Sequence, residues 1–108
     1  MQLHHIDSFV NGWFIGNFDP TLIKSDDVEV AVKSYKAGEK EPSHFQLTAT
    51  EITVLISGKC LLGGHVLNAG DVLVIDPMEP ADFEALEDCT VVACKSPSLP
   101  NDKVLSID

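Results

Sequence analysis

Residues 51–57, EITVLIS, alternate along an extended chain, with Glu51, Thr53, Leu55 and Ser57 on one side and Ile52, Val54 and Ile56 on the other. Similar short runs, rich in β-branched and aromatic residues, recur throughout. They are GWFIGNF (12–18), VEVAVKSY (28–35), KCLL (59–62), HVL (65–67), DVLVI (71–75) and TVVACK (90–95). Turn chemistry separates them: DP at 19, AGEKEP at 37, GG at 63, NAG at 68 and DPMEP at 76. Gly63 and Gly64 suit a two-residue turn between KCLL and HVL. No window sustains a helical period, so the pattern predicts an all-β barrel or sandwich, whose closure removes exposed strand edges. A chain of 108 residues has room for one such domain, spanning 1–108.

The two faces of EITVLIS make different demands. If the face with Glu51 and Thr53 lines a barrel, the face with Ile52, Val54 and Ile56 must pack against another sheet or another subunit. A homodimer is therefore expected.

Charge narrows the partners. Seventeen acidic residues oppose seven basic ones for a formal net charge of -10, and every basic residue is a lysine. Without arginine the chain lacks the planar fork that grips phosphates and base edges, and its acidic surface repels polyanions. Nucleic acid and membranes are accordingly excluded as expected partners. The start, MQLHHIDSFVNGW, has neither the basic head nor the apolar stretch of a signal peptide, and no apolar run reaches membrane-span length. Cys60, Cys89 and Cys94 are odd in number and lack close metal-type pairing, as expected for buried thiols in a reducing cytoplasm.

Candidate chemistry centres on residues 38–58, GEKEPSHFQLTATEITVLISG. His44, Gln46 and Thr48 share one face of an extended segment, and Glu51 begins the next strand, so a short connection brings His44, Gln46 and Glu51 together. One imidazole with oxygens from glutamine and carboxylates forms a hard donor set, suited to manganese, iron(II) or magnesium more than to copper or structural zinc. The same groups also suit mutual hydrogen bonding inside a barrel mouth. His4, His5 and His65 read as surface residues, and Trp13, Phe14 and Phe18 as core or interface, with one aromatic available at the mouth. Lys95 and Lys103 read as a strand end and a solvated tail, with a lesser alternative of framing the pocket.

The spacing Gly38, five residues, His44, one residue, Gln46, four residues, Glu51, six residues, Gly58 resembles the first motif of the cupin superfamily, with glutamine in place of its second histidine. GDVLVIDPMEPADF (70–83) resembles the second motif, with Gly70 at its head, Pro77 at its turn, Glu79 where a glycine is usual and Asp82 where the last ligand histidine stands. The head GWFIGNFDP and the tail KSPSLPNDK resemble those of small single-domain, RmlC-like cupins of unassigned function. The resemblance implies a double-stranded β-helix, or jelly roll. It also implies a divalent-metal position mapped onto His44, Gln46, Glu51 and Asp82.

Three readings stay open at the level of sequence. The first is a barrel that binds a small molecule, a sugar or other polar metabolite, in a pocket that includes His44, Gln46, Thr53 and Tyr35, with a divalent metal as an optional element. The second is a metal-dependent isomerase, epimerase or dioxygenase acting on a small oxygenated substrate. There, Glu51 and Asp82 are the candidate acid and base, and Tyr35 with His44 resembles the pair used by metal-free cupin epimerases. The third is a structural or interaction module.

Overall fold

A computed structural model describes residues 1–106. The chain enters through two short 3-10 turns, Ile6–Ser8 and Val10–Gly12. Eleven strands follow: β1 Trp13–Gly16, β2 Ile23–Lys24, β3 Glu29–Tyr35, β4 Lys40–Gln46, β5 Thr50–Ser57, β6 Lys59–Leu62, β7 His65–Asn68, β8 Val72–Ile75, β9 Ala81–Ala85, β10 Cys89–Ser96 and β11 Lys103–Leu105. They form a six-stranded sheet ordered β2-β1-β3-β10-β5-β8 and a five-stranded sheet ordered β11-β4-β9-β6-β7. This is the all-β architecture that the alternation predicts, in the jelly-roll form that the resemblance implies.

The seven strand segments read from alternation all appear. The β6–β7 hairpin closes through Gly63 and Gly64, both at positive φ, with Leu62 paired to His65. Gly58, the last residue of the first motif, has φ +84, and a Cβ there would lie 2.1 Å from the Asp88 carbonyl oxygen. Only glycine lets the chain pass from β5 to β6 at that point.

β2, β4, β9 and β11 lie outside those seven segments. β4 contains Pro42 and five polar or charged residues, and its pairing with β9 is irregular between Glu41 and His44. A proline fits a sheet at such a break, where the missing N–H is not needed. β9, with the sequence ADFEA, is poor in strand-forming residues. It is held by pairing with β4 and β6 and by burial of Ala81, Phe83 and Ala85.

The core joins the inner faces of both sheets. Leu55, Ile75, Cys89 and Val91 come from the six-stranded sheet and Cys60, Leu62, Leu67, Ala81, Phe83 and Ala85 from the other. All three cysteines are free, and burial pushes the Cys60 thiol up to about 11, so it serves as packing.

The tail is a structural strap. Asp102, only 7% exposed, accepts the backbone N–H groups of Thr48 at 3.0 Å and Ala49 at 2.9 Å, while its own carbonyl accepts that of Leu47. It thereby fixes the connection between β4 and β5. Ser98, 2% exposed, accepts the N–H of Asn17 at 2.9 Å and ties the tail to the head. The similar head and tail segments noted in the sequence are thus two halves of one contact.

Candidate ligand cavity

Toward the N-terminal end of β5 the packed interior gives way to polar residues. On the inner face one row runs Ala31, Ala93, Thr53, Leu73 across β3, β10, β5 and β8, and the next runs Glu29, Lys95, Glu51, Ile75. Ala31, Ala93 and Thr53 are buried, and their short side chains leave space that bulkier residues would fill. The space is a cavity of about 700 Å³ whose wall includes Trp13, Glu29, Lys33, Tyr35, Glu41, His44, Glu51, Lys95 and Lys103. Its inner recess reaches Thr53, Ala81 and Phe83. β1 pairs only with Val30 and Ala31 of β3, so the rest of β3 borders an opening flanked by residues 6–12.

Two polar groups organise the wall. The Tyr35 hydroxyl donates to Glu41 Oε1 at 2.7 Å, and the Lys33 ammonium lies 3.8 Å from the same oxygen. Burial and the bond to Glu41 push the Tyr35 phenol far above its ordinary range, so it remains a neutral donor. Burial raises Glu41, but the Tyr35 hydroxyl and the Lys33 ammonium outweigh it and hold the carboxylate below its usual value. Burial in turn lowers Lys33, against the opposing pull of Glu41. The second group surrounds Trp13, whose ring centroid lies 5.1 Å from the Lys33 ammonium and 4.9 Å from that of Lys95.

His44 is half-buried, and its Nδ1 donates to the Pro42 carbonyl at 3.2 Å, leaving the lone pair of the neutral ring on Nε2. Burial lowers its pKa, the Pro42 contact opposes this, and Lys103 adds to the lowering. Gln46, 4% exposed, has its Nε2 buried without a hydrogen-bond partner.

Of the residues expected at the site, His44, Glu51, Thr53 and Tyr35 line the same recess. Gln46, buried at the end of β4, is not among the residues that line the cavity or its recess. Asp82 does not join them. In β9 the alternation buries Ala81, Phe83 and Ala85 and leaves Asp82 exposed, and Ala81 is the residue paired with His44. Asp82 is therefore corrected from candidate ligand and candidate acid–base group to an outward-facing surface residue. Neither nearby acid replaces it: Glu79 Oε1 accepts the Asp76 N–H at 2.8 Å, and Glu84 lies 3.9 Å from the Lys40 ammonium. The Tyr35–His44 acid–base pairing is altered as well, because the Tyr35 hydroxyl is committed to Glu41.

The remaining donors do not suit a divalent ion. Among the described residues, no three His, Cys, Asp or Glu side chains converge as a metal group. Of the four positions mapped to ligands, His44, Gln46 and Glu51 keep their places while Asp82 faces out, and the residue opposite His44 is Ala81. Lys95 stands directly across from Glu51, and Lys103 directly across from Gln46. Cross-strand neighbours have Cβ atoms about 5 Å apart, so each lysine begins beside a would-be ligand and repels a cation there.

Pattern reading missed Lys33, Glu29 and Glu41. Alternation could have found the first two, since Glu29, Ala31, Lys33 and Tyr35 share a face of β3. Glu41 and Asp102 had no such signal, because long-range pairing places both.

No family model matches the chain, and no curated protein does. Solved structures do match. An uncharacterized conserved protein with a double-stranded β-helix domain from Klebsiella pneumoniae aligns over 100% of this chain and 99% of its own, at 18% identity and a TM-score of 0.72. An RmlC-like cupin from Shewanella frigidimarina aligns over 68% of each chain, at 16% identity and a TM-score of 0.63. The DMSP lyase DddQ from Ruegeria pomeroyi aligns over 87% of this chain and 49% of its own, at 23% identity and a TM-score of 0.71. At such identities the likeness defines architecture, and the chain has the cupin fold, the double-stranded β-helix.

Proposed function

We propose that this cupin barrel, a single domain, binds a small polar metabolite, a sugar or comparably hydroxylated molecule, in the cavity between its sheets. The observation that carries the reading is the wall itself, where Glu51, His44, Lys33 and Tyr35 meet around a floor of small residues. Such a space fits a ligand with several hydrogen-bonding groups, and fixed polar residues would orient it. A lyase built on the same fold is consistent with a pocket for small molecules. Free thiols fit a reducing cytoplasm, and among the described residues no helix is long and apolar enough to cross a membrane. Thermal-shift measurements with neutral sugars, sugar acids and small polyols at millimolar concentration test the reading. At least one class should raise the melting temperature of the wild type and leave a His44→Ala variant unmoved. No rise with any class, supported by the absence of line broadening in ligand-observed NMR, would refute it.

We also propose that a second copy of the chain covers the outer face of the six-stranded sheet. Two apolar rows cross it in register: Val30, Cys94, Ile52, Val74 and Val32, Val92, Val54, Val72. Ile52, Val72 and Val74 are 37%, 56% and 53% exposed. Copies that each carry a charge of -10 repel one another, so they can meet only where charge is absent, and these rows contain none.

A further inference from the structure

Four of the seven lysines, Lys33, Lys40, Lys95 and Lys103, line one cavity of a strongly acidic chain. Two are already paired, Lys33 with Glu41 at 3.8 Å and Lys40 with Glu84 at 3.9 Å. Among the described residues, Lys95 and Lys103 have no carboxylate within 4.0 Å. Both stand across a strand pair from positions mapped to metal ligands, Lys95 from Glu51 and Lys103 from Gln46.

We infer that this cavity recognises the carboxylate of a small hydroxylated acid through Lys95 and Lys103, without a metal ion. The inference rests on the reading of the cavity as a ligand site and specifies the ligand's class.

The other wall carboxylates leave this charge available. Glu41 is occupied by Tyr35 and Lys33. Glu29 stands across from Lys95 with no ion-pair contact within 4.0 Å, and burial raises its pKa against the pull of that lysine. Asp7 and Glu39 also line the cavity, and the Glu39 carboxylate accepts the Lys36 N–H at 2.8 Å. Glu51 remains as an acceptor for ligand hydroxyls, and neutral His44 Nε2 is a second. Donors and acceptors thus alternate along the wall, with Lys95 between Glu29 and Glu51, so one hydroxylated acid can meet both kinds of group. Trp13 steadies Lys95 from behind through its ring face.

The test compares matched acids and neutral parents on untagged full-length protein by calorimetry: D-glucuronate against D-glucose, D-galacturonate against D-galactose, and D-gluconate against D-glucitol. At least one acid should bind about 10-fold or more tightly than its parent, and added salt should weaken it. Prior dialysis against EDTA should leave its affinity unchanged. Lys95→Met and Lys103→Met should each reduce the preference for the acid. Lys103 sits at the exposed edge of its sheet, so its variant keeps the test open if Lys95→Met fails to fold. Equal affinity for acid and parent would overturn the carboxylate inference while leaving the ligand cavity intact. Affinity lost with EDTA and restored by manganese would overturn the metal-free site. No binding by any of the six compounds would overturn the inference and count against the cavity reading as well.

Discussion

The two faces of the six-stranded sheet are built from alternate residues of the same strands, yet they differ sharply near the cavity. Outward, Ile52, Val54, Val92, Cys94, Val72 and Val74 form an apolar surface without a charge. Inward, one residue along, Glu51 and Lys95 meet at the cavity wall and Thr53 and Ala93 make its floor. The usual antiparallel sheet hides apolar residues and shows polar ones. Here, near the cavity, the polar residues are turned in and the apolar ones face out. An inverted alternation of this kind is the observation on which both the proposed ligand site and the proposed association rest.

The inner face itself divides along β5, and the sharpest break of that division is Leu55→Ala. Leu55 is fully buried, and its loss should cost about 2–5 kcal/mol in urea unfolding, the usual range for a leucine removed from a packed core. Ile56→Ala, one position along and facing out, should cost about 1 kcal/mol or less in a dilute monomer. Equal costs would mean that the two faces are not distinct. Asp102→Ala comes next, because it releases the Thr48 and Ala49 N–H groups that hold Glu51's strand against His44's. A loss of about 2–3 kcal/mol is expected, recovered in part by Asp102→Asn, which keeps one acceptor.

The outer face is probed by Val54→Lys. Light scattering should show wild type at twice the chain mass and the variant at one chain mass, with melting of the variant independent of concentration. A wild type that is monomeric at all concentrations would remove the proposed partner from the comparison. Glu51→Gln then probes the inner face, with a smaller effect on stability, about 1 kcal/mol or less, because Glu51 is partly exposed and has no close ion pair among the described residues. Its effect should fall on ligand affinity instead.

How far these faces can be read from sequence depends on what places each residue. EITVLIS and the KCLL–GG–HVL hairpin declare themselves through alternation and turn chemistry, both local. His44 and Glu51 are legible through spacing, because the connection between β4 and β5 is short. Asp82 misleads for the same reason in reverse. A motif register off by one position turns a strand residue to the opposite face, and only the pairing of Ala81 with His44 settles which face is inward. Lys103 and Asp102 lie more than 50 residues from their partners on β4 and the β4–β5 connection, and no local pattern reveals such pairings. The polar half of the cavity is therefore the part least visible in sequence, since residues from both ends of the chain build it.

The finest test of the contrast is acid titration, because His44 is the one histidine at the cavity while His4, His5 and His65 are exposed. Burial lowers the folded-state pKa of His44 below the ordinary value of 6.5, and Lys103 assists. As pH falls through 6.5, the unfolded chain takes up this proton before the folded one does, so stability declines until the folded-state pKa is passed. Above that window His44 contributes no pH dependence. Urea unfolding from pH 7.5 to 5 should therefore show a small loss that His44→Gln diminishes. Carboxylates such as Glu41, held below their usual value, lose their contribution at lower pH, which separates the two effects. A wild type and His44→Gln with parallel stability profiles across that interval would show that His44 is as solvated as the outer histidines, and that the inner face is less enclosed than its packing implies.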